Sequence, residues 1–333
     1  MKYAVMIVFL LSGLLFGCRA GEDQYPSATP TLPELVSIEG LTVETYPVVD
    51  GSTSALPLQQ MVACHIFQIE CDWTEAFLFD ETRNILPAMD AMDNSEAVEA
   101  LFSLVHSGTH DAYMNLIEGN AEVILVARQP SEDEFKAARK KGIVLDYRSV
   151  ALDAFVFLVN EANPLETIDV GQIREIYTGR MTTWSELGLD MSLEGDHSIH
   201  TYRRNPNSGS QELMEDLVMQ GEVMIDSPDL LLYEMVGPFN AIGYDLLGIG
   251  YSVYYYATYM LPTETVRLVP VENVLPTTET IADGTYPFVT EVFVVIRADQ
   301  PPDGSAMQLR NWLLTAEGQA VVAQSGYVPI GDD

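Results

Sequence analysis

The sequence predicts an α/β protein, and three observations support that class. From Val43 onward, short apolar runs alternate with amphipathic stretches of helical length. Glycine and proline lie at the joints, as at Asn163-Pro164 and Asp283-Gly284. The chain has 333 residues, 47% of them hydrophobic, and the roughly 290 residues left after an export segment and a tail suit two lobes. Interleaved strands and helices predict layers with mostly parallel strands.

The predicted elements follow this alternation along the chain. The strand-like runs are Val43–Val49, Val123–Ala127, Phe155–Asn160, Ile199–Arg203 and Val292–Arg297. The helix-like runs are Leu56–Phe67, Asp111–Gly119, Glu132–Lys141, Val170–Tyr177, Gln211–Gln220 and Ala306–Ala316. The tyrosine cluster between Tyr251 and Tyr259 could form a sugar-binding surface, but such a run more often packs in a core.

The N-terminus predicts export and lipid anchoring. Residues 1–17 have one lysine and then an apolar run too short to span a bilayer comfortably, which is typical of a signal peptide. Leu15, Gly17 and Cys18 resemble a bacterial lipobox, in which Cys18 is acylated and becomes the mature N-terminus. A plain secretory signal with an incidental cysteine is the alternative. Residues 18–42 are rich in Pro, Ser, Thr and charge, and predict a flexible tether that holds an extracytoplasmic body off the membrane.

The other two cysteines, Cys64 and Cys71, are seven residues apart in an exported chain, where disulfides are permitted. On one continuous helix their Cα atoms would be about 10 Å apart, too far to bridge. A disulfide therefore requires the helix to end between them, and the sequence leaves that question open.

The net charge is −33, which excludes nucleic acid as a partner because that function needs a basic face. A field of this sign slows the approach of an anion. Affinity in a buried site is decided instead by donors within a few ångströms. The charge alone does not settle what the protein binds.

Three predicted helix starts have the composition of an anion-binding loop. They are Asp50–Ala55 after a strand, His106–Thr109, and Arg204–Ser210. Each combines glycine, which allows close approach to the backbone, with hydroxyls and free helix N–H groups. One such loop is more often an ordinary helix cap, but three in one α/β chain favour a shared site beyond the strand ends.

Two arginines strengthen that prediction. Arg204 ends a strand-like run four residues before Ser208, and Arg128 ends the buried run Val123–Ala127. A guanidinium there can hold an oxyanion with two parallel hydrogen bonds. The alternative for either arginine is an ion pair with an acidic residue. Arg203 points the other way on its strand and is a weaker candidate.

At these motifs the chain resembles the phosphate-binding proteins of bacterial phosphate ABC transporters, in the type II periplasmic-binding-protein superfamily. Further stretches agree in order, from about Val48 to Ile330: Leu152–Asn160 with Asn163-Pro164, Ile173–Gly188, Gly284–Pro287, Glu317–Gln319 and Gly326–Pro329. The resemblance implies two lobes, each a mixed sheet flanked by helices, joined by a two-crossing hinge. We expect residues 43–150 plus 287–333 to form lobe 1 and residues 151–286 to form lobe 2.

The resemblance also implies the ligand and the partners. Phosphate or a similar oxyanion would lie between the lobes and be delivered to a membrane permease by a monomeric binding protein. The implied ligand contacts are Ser52, Thr53, Ser107, Gly108, Thr109, Arg128, Arg204, Ser208, Gly209 and Ser210. Some phosphate binders carry an aspartate where Arg128 stands. An arginine cannot accept the proton of hydrogen phosphate, so Asp50, Asp111 and Glu122 are the other candidates for that acceptor.

The sequence predicts no enzyme, no cofactor and no metal site. His106 and His110 have metal-ligand spacing, but no acidic third ligand stands in register with them. No residue is nominated as the base that a nucleophilic Ser52 or Ser208 would need, which ranks a hydrolase last. The main alternative function is a lipoprotein of the same fold that acts as a sensor or as an adhesion or assembly factor rather than in transport.

Overall fold

A computed structural model describes residues 38, 40–74, 82–93, 95–191, 195, 197–226 and 230–331. The signal peptide, Cys18 and almost all of the tether lie outside the described residues, so their predictions stay predictions. The described residues belong to one compact unit of the chain. Leu41 falls within the predicted tether of residues 18–42, but it is buried in the core with 3% of its surface exposed. The folded body therefore begins before residue 43.

The helices match the predicted pattern closely in the first half of the chain. They are α1 (Leu56–Phe67), α2 (Ser95–Phe102), α3 (Thr109–Glu118), α4 (Glu132–Lys141), α5 (Val170–Tyr177), α6 (Gly209–Leu213), α7 (Gly237–Gly243), α8 (Thr278–Ala282), α9 (Ser305–Leu313) and α10 (Ala316–Gln324). Short 3₁₀ turns occupy Thr53–Ala55, Ala91–Asp93 and Trp184–Leu187, and π-helical turns occupy Met214–Met219 and Tyr256–Met260.

Local chemistry explains the sharpest of these boundaries. Helix α4 begins with a capping box, in which the Ser131 N–H donates to Glu134 Oε2 at 2.8 Å and Ser131 Oγ accepts from the Glu134 N–H. It ends at Gly142, whose φ of 71° suits the left-handed cap. Both ends are visible in the sequence, so the predicted bounds of α4 are confirmed.

The strands are mostly short, with one long exception. They are β1 (Val49–Gly51), β2 (Cys71–Trp73), β3 (Ile85–Pro87), β4 (Val123–Val126), β5 (Leu145–Asn160), β6 (His200–Thr201), β7 (Arg203–Arg204), β8 (Leu231–Leu232), β9 (Gly248–Val253), β10 (Val266–Val269), β11 (Val289–Arg297) and β12 (Val328–Pro329). The predicted strand Val43–Val49 is wrong for all but its last residue, since only Val49 belongs to a strand.

Eight strands form a mixed sheet in the order β1-β4-β11-β5-β9-β6, with β10 and β12 also paired to β5. The prediction of mostly parallel strands is wrong for this sheet. Only β1–β4 and β6–β9 pair in parallel, whereas β4–β11, β5–β11, β5–β9, β5–β10 and β5–β12 are antiparallel. The reason is that β11 returns beside β5 along nine residues, which makes the centre of the sheet antiparallel.

The long strand β5 links two parts of this sheet. Its first part, Leu145–Ala154, pairs with β11, and its second part, Phe155–Asn160, pairs with β9 and β10. Residues 153–159 are all buried, as are the five central residues of β11 from Val292 to Ile296. The core therefore runs continuously along β5, which accounts for the apolar character of this segment.

The structure joins Cys64 and Cys71 in a disulfide with a Cα–Cα distance of 6.2 Å. This is possible because α1 ends at Phe67 and Gln68 adopts the left-handed conformation, with φ of 58°. The chain then reverses and begins β2 at Cys71. The condition stated from the sequence, a helix that ends between the two cysteines, is therefore met.

The tyrosine cluster packs as a core segment, as predicted. Tyr251, Tyr255 and Tyr256 are each at most 2% exposed. The ring of Tyr255 stacks on Tyr327 with centroids 3.6 Å apart, and its hydroxyl donates to the Ser325 carbonyl. Within the described part of the chain, no helix has the length and apolar character needed to cross a membrane.

Candidate ligand-binding site

Three polar loops meet around a cavity of about 890 Å³. Ser52–Ser54 follow β1, His106–Thr109 lead into α3, and Arg204–Ser210 connect β7 to α6. These are the three loops that the sequence singled out. The structure shows that the three loops converge on one cavity, which the sequence alone could not establish.

The first two loops are tied together by Asp50, which is 2% exposed. Its Oδ1 accepts hydrogen bonds from the Gly51 N–H at 2.7 Å and the Ser107 N–H at 2.8 Å. Its Oδ2 accepts from Asn115 Nδ2 at 2.7 Å. Asp50 thus positions the loops instead of facing the cavity. Glycine is required next to it, because a Cβ on Gly51 would lie 2.2 Å from the Leu125 carbonyl oxygen.

Ser52 presents a buried hydroxyl to the cavity. The residue is 4% exposed, and its N–H donates to the Leu125 carbonyl at 3.0 Å. Its Oγ has no hydrogen-bond partner among the described residues. Leaving a buried donor unsatisfied costs about 1–3 kcal/mol, so a ligand oxygen at this point would be stabilised.

The second loop opens the ten-residue helix α3. Gly108 precedes it with φ of 92°, a conformation that favours glycine, and its N–H donates to the Gly51 carbonyl at 3.1 Å. Thr109 is 6% exposed, while Ser107 is exposed. Both line the cavity at the helix start, where N–H groups lack intrahelical partners.

The third loop carries the most informative residue, Arg204, which is 5% exposed. Its guanidinium donates to three neutral acceptors: the Leu232 carbonyl at 3.2 Å, the Tyr233 carbonyl at 3.1 Å and Met235 Sδ at 3.1 Å. Among the described residues, no carboxylate oxygen lies within 4.0 Å of it. Burial lowers the pKa of Arg204 from its ordinary value. An arginine nevertheless stays charged in proteins. The cavity wall therefore holds a buried cation that forms no ion pair among the described residues, although Glu234 is near enough to raise its pKa.

The remaining residues of that loop support the same wall. Ser208 caps α6 by accepting a hydrogen bond from the Gln211 N–H at 3.2 Å. Ser210 is 3% exposed, and its hydroxyl approaches Met235 Sδ at 3.5 Å, a weak interaction. The neighbouring Arg203 donates to the Ile225 carbonyl and does not line the cavity, in agreement with its weaker prediction.

Arg128 adopts the alternative that the sequence left open, an ion pair. Its two terminal nitrogens donate to the two carboxylate oxygens of Glu134, each at 2.8 Å, and its Nε lies 3.3 Å from Glu212. Burial by itself lowers the pKa of this guanidinium, but Glu134 and Glu212 raise it overall. Arg128 is not among the residues that line the cavity. Both terminal nitrogens of its guanidinium already bind the Glu134 carboxylate, so we leave Arg128 out of the proposed ligand set.

Of the predicted proton acceptors, only Asp111 lines the cavity. Asp50 is occupied as described above, and Glu122 accepts from the Val48 N–H at 3.0 Å. His106 and His110 do not lie on one face of a helix, because His106 precedes α3 and is exposed. His110 Nδ1 contacts Glu134 at 3.0 Å. Among the described residues, no group of three or more metal-ligating side chains is arranged to hold an ion.

Sequence reasoning missed one whole wall of the cavity. Tyr233, Glu234, Met235, Val236 and Asn240 come from the segment between β8 and the middle of α7. A two-residue strand and an irregular turn carry no periodicity, and this segment has no glycine-and-hydroxyl motif of the kind that marked the other loops. Its contacts with Arg204, through the Tyr233 carbonyl and Met235 Sδ, hold it at the site.

A close approach between the second and third loops allows a direct test. A Cβ on Gly209 would lie 2.6 Å from Thr109 Oγ1, so Gly209→Ala should push these loops apart. We expect oxyanion affinity to fall about tenfold or more, measured by calorimetry. The matched control is Gly171→Ala in α5, where a Cβ meets nothing within 4 Å. An unchanged affinity for Gly209→Ala would show that ligand binding does not require this approach.

Comparison with known proteins shows the family to which the chain belongs. Residues 83–317, more than two thirds of the chain, match the family model described as a PBP superfamily domain. The chain belongs to the PBP superfamily. Proteins of this superfamily are solute-binding proteins, and those associated with transporters act outside the cytoplasm.

Relatives of this PBP superfamily chain include phosphate-binding proteins. It is 26% identical over 245 residues to the phosphate-binding protein PstS of Pseudomonas aeruginosa, covering 67% of this chain and 72% of the relative. It is 22% identical over 259 residues to PstS of Staphylococcus aureus, covering 75% and 76%. It is also 22% identical over 239 residues to protein SphX of Synechococcus elongatus, covering 67% of each.

Solved structures establish the superfamily fold. An ABC-type phosphate transport receptor from Vibrio cholerae is 19% identical, with a TM-score of 0.57 over 85% of this chain and 99% of that one. A candidate phosphate ABC transporter substrate-binding protein from Clostridium perfringens, solved with bound phosphate, is 20% identical, with a TM-score of 0.59 over 85% and 98%. The predicted two-lobed type II fold, with mixed sheets flanked by helices, is confirmed.

Proposed function

We propose that this protein is an extracytoplasmic solute-binding lipoprotein that captures phosphate or a similar oxyanion between its two lobes for an ABC transporter. The observation that carries the proposal is the buried guanidinium of Arg204, which lines the cavity and forms no ion pair among the described residues. The relatives named above supply the ligand class, since two of them are phosphate-binding proteins.

The energetics favour an anion at this point. A buried cation is expensive unless it is paired, and here the hydrogen bonds of the guanidinium all go to neutral acceptors. An oxyanion would supply the missing charge and would also accept from the unpartnered Ser52 hydroxyl. The proposed ligand contacts are Ser52, Thr53, Ser107, Gly108, Thr109, Arg204, Ser208, Gly209 and Ser210.

The proposed mechanism is closure of the lobes around the anion. With residues 43–150 plus 287–333 as lobe 1 and 151–286 as lobe 2, the first two loops lie in one lobe and the third in the other. An anion that bonds both sides binds the closed state better and so shifts the population towards it. The change of pairing partners along β5 at Ala154 and Phe155 supports one hinge crossing near the predicted boundary.

Anchoring and delivery complete the proposal. Acylation of Cys18 would hold the body near a membrane permease, and the protein would work there as a monomer. Binding without catalysis is proposed because the family and the relatives that the chain matches are binding proteins.

Isothermal titration tests the proposal directly. Ligand-free, folded protein should release or take up heat with phosphate, and the panel should include sulfate, molybdate and tungstate to establish which oxyanion it prefers. Asp111 is the acceptor that would favour a protonated oxyanion such as hydrogen phosphate over sulfate. The absence of binding to all four anions would overturn the oxyanion proposal.

A further inference from the structure

The cavity is large for a bare oxyanion. Its volume of about 890 Å³ lies near the top of the roughly 300–1,000 Å³ that small organic ligands occupy. An inorganic phosphate ion has only five non-hydrogen atoms. In the conformation described here, it would leave most of this space to solvent.

The walls of the cavity also differ in character. The buried donors Arg204, Ser52 and Ser210 suit an oxyanion. The segment that sequence reasoning missed contributes a ring and a carboxylate instead: Tyr233 is 72% exposed, and Glu234 beside it is exposed as well. An exposed aromatic ring in a cleft offers a flat surface to a ligand body.

The acidic side chains in the cavity favour a ligand that carries hydrogen-bond donors as well as an anionic group. Glu234 and Asp111 both line the cavity, and neither forms an ion pair within the described part of the chain. Hydrogen phosphate carries one proton and can donate to only one of these carboxylates, so the other would face a dianion without receiving a hydrogen bond. The two carboxylates suit hydroxyl or ammonium groups, which can donate to them. Asn240 adds an exposed amide to the same wall.

We infer that the preferred ligand is a phosphate monoester with a polar organic substituent. This inference rests on the proposed oxyanion function and specifies its substrate class. The phosphoryl group lies against Arg204, Ser52 and Ser210. The substituent lies against Tyr233 and Glu234, and its hydroxyl or ammonium groups donate to the carboxylates.

Calorimetry with four probes tests this: inorganic phosphate, methyl phosphate, glycerol 3-phosphate and O-phosphoethanolamine. The last two should bind at least tenfold more tightly than the first two, because only they carry a polar substituent. Tyr233→Ala should remove most of that advantage, measured as the ratio of ester to phosphate affinity. Glu234→Gln should weaken O-phosphoethanolamine several-fold more than glycerol 3-phosphate, because it removes the charge that faces the ammonium.

The matched control is Tyr244→Ala, which removes a tyrosine that is 96% exposed and lies outside the cavity lining. It should leave the affinity ratio unchanged. If inorganic phosphate binds as tightly as either polar ester, or more tightly, the inference fails while the oxyanion function stands. If none of the four probes binds, the inference fails, and the oxyanion function is then decided by the titrations with sulfate, molybdate and tungstate.

Discussion

Replacing Arg204 with methionine should weaken oxyanion binding by tenfold to more than a hundredfold while leaving the ligand-free protein about as stable as before. Hydrogen bonds to charged groups contribute about 1.5–3 kcal/mol, which sets the loss of affinity. The stability expectation has a separate cause. Methionine forfeits hydrogen bonds to two carbonyls and a thioether, but it also removes an unpaired buried cation.

A loss of affinity without a loss of stability identifies Arg204 as a binding residue. Affinity is measured by calorimetry with phosphate, and the free energy of unfolding by urea titration without phosphate. The matched control is Arg203→Met, which removes the adjacent arginine that points to the Ile225 carbonyl outside the cavity. If Arg204→Met binds phosphate as tightly as the unmodified protein, Arg204 does not belong to the site.

The second large effect is a pH dependence of stability at Asp153. This carboxyl group is 2% exposed in the middle of β5, and burial raises its pKa from 3.8 to about 7, against the opposing effect of hydrogen bonds from the Tyr255 and Ala154 N–H groups. Its Oδ2 has no hydrogen-bond partner among the described residues. The structure therefore favours the neutral acid.

The direction of this pH dependence follows from how many protons the folded and unfolded states bind. Between pH 4 and pH 7 the folded state keeps the proton and the unfolded state loses it, so the free energy of unfolding falls as pH rises through this window. A pKa difference of this size corresponds to at most about 4 kcal/mol. Asp153→Asn removes the titrating group and keeps an oxygen for the two N–H donors. The variant should therefore become more stable than the unmodified protein as pH rises from 4 to 7.5.

Urea unfolding of both proteins at pH 4.5, 6 and 7.5 measures this difference. The same substitution at the exposed Asp93 serves as the control. A difference in unfolding free energy between Asp153→Asn and the unmodified protein that stays constant across the three pH values would show that Asp153 does not titrate in this window.

The success of the sequence prediction depended on how local each signal is. Helix α4 could be bounded because Ser131, Glu134 and Gly142 mark its ends within the segment itself. The predicted helix Gln211–Gln220 was harder, because the chain departs into a π-helical turn at Met214. Nothing in the composition of this segment predicts the π-helical turn.

Long-range pairing explains the remaining errors. The antiparallel centre of the sheet depends on β11 returning beside β5 from more than a hundred residues away. Likewise, Arg128 and Arg204 each end a strand-like run and look alike in sequence. Only the fold shows that Glu134 and Glu212 surround the first and that carbonyls surround the second.

The missing counter-ion of Arg204 also links the lifetime of the protein to its surroundings. An anion that binds only the folded state at a hundred times its dissociation constant adds about 2.7 kcal/mol to the free energy of unfolding. The unfolded fraction, which proteases outside the cell can cleave, would then be larger when the anion is scarce and smaller when it is plentiful. We expect Arg204→Met, which has no charge to neutralise, to lose this dependence. The abundance of the receptor would thus follow the supply of its ligand without any change in its synthesis.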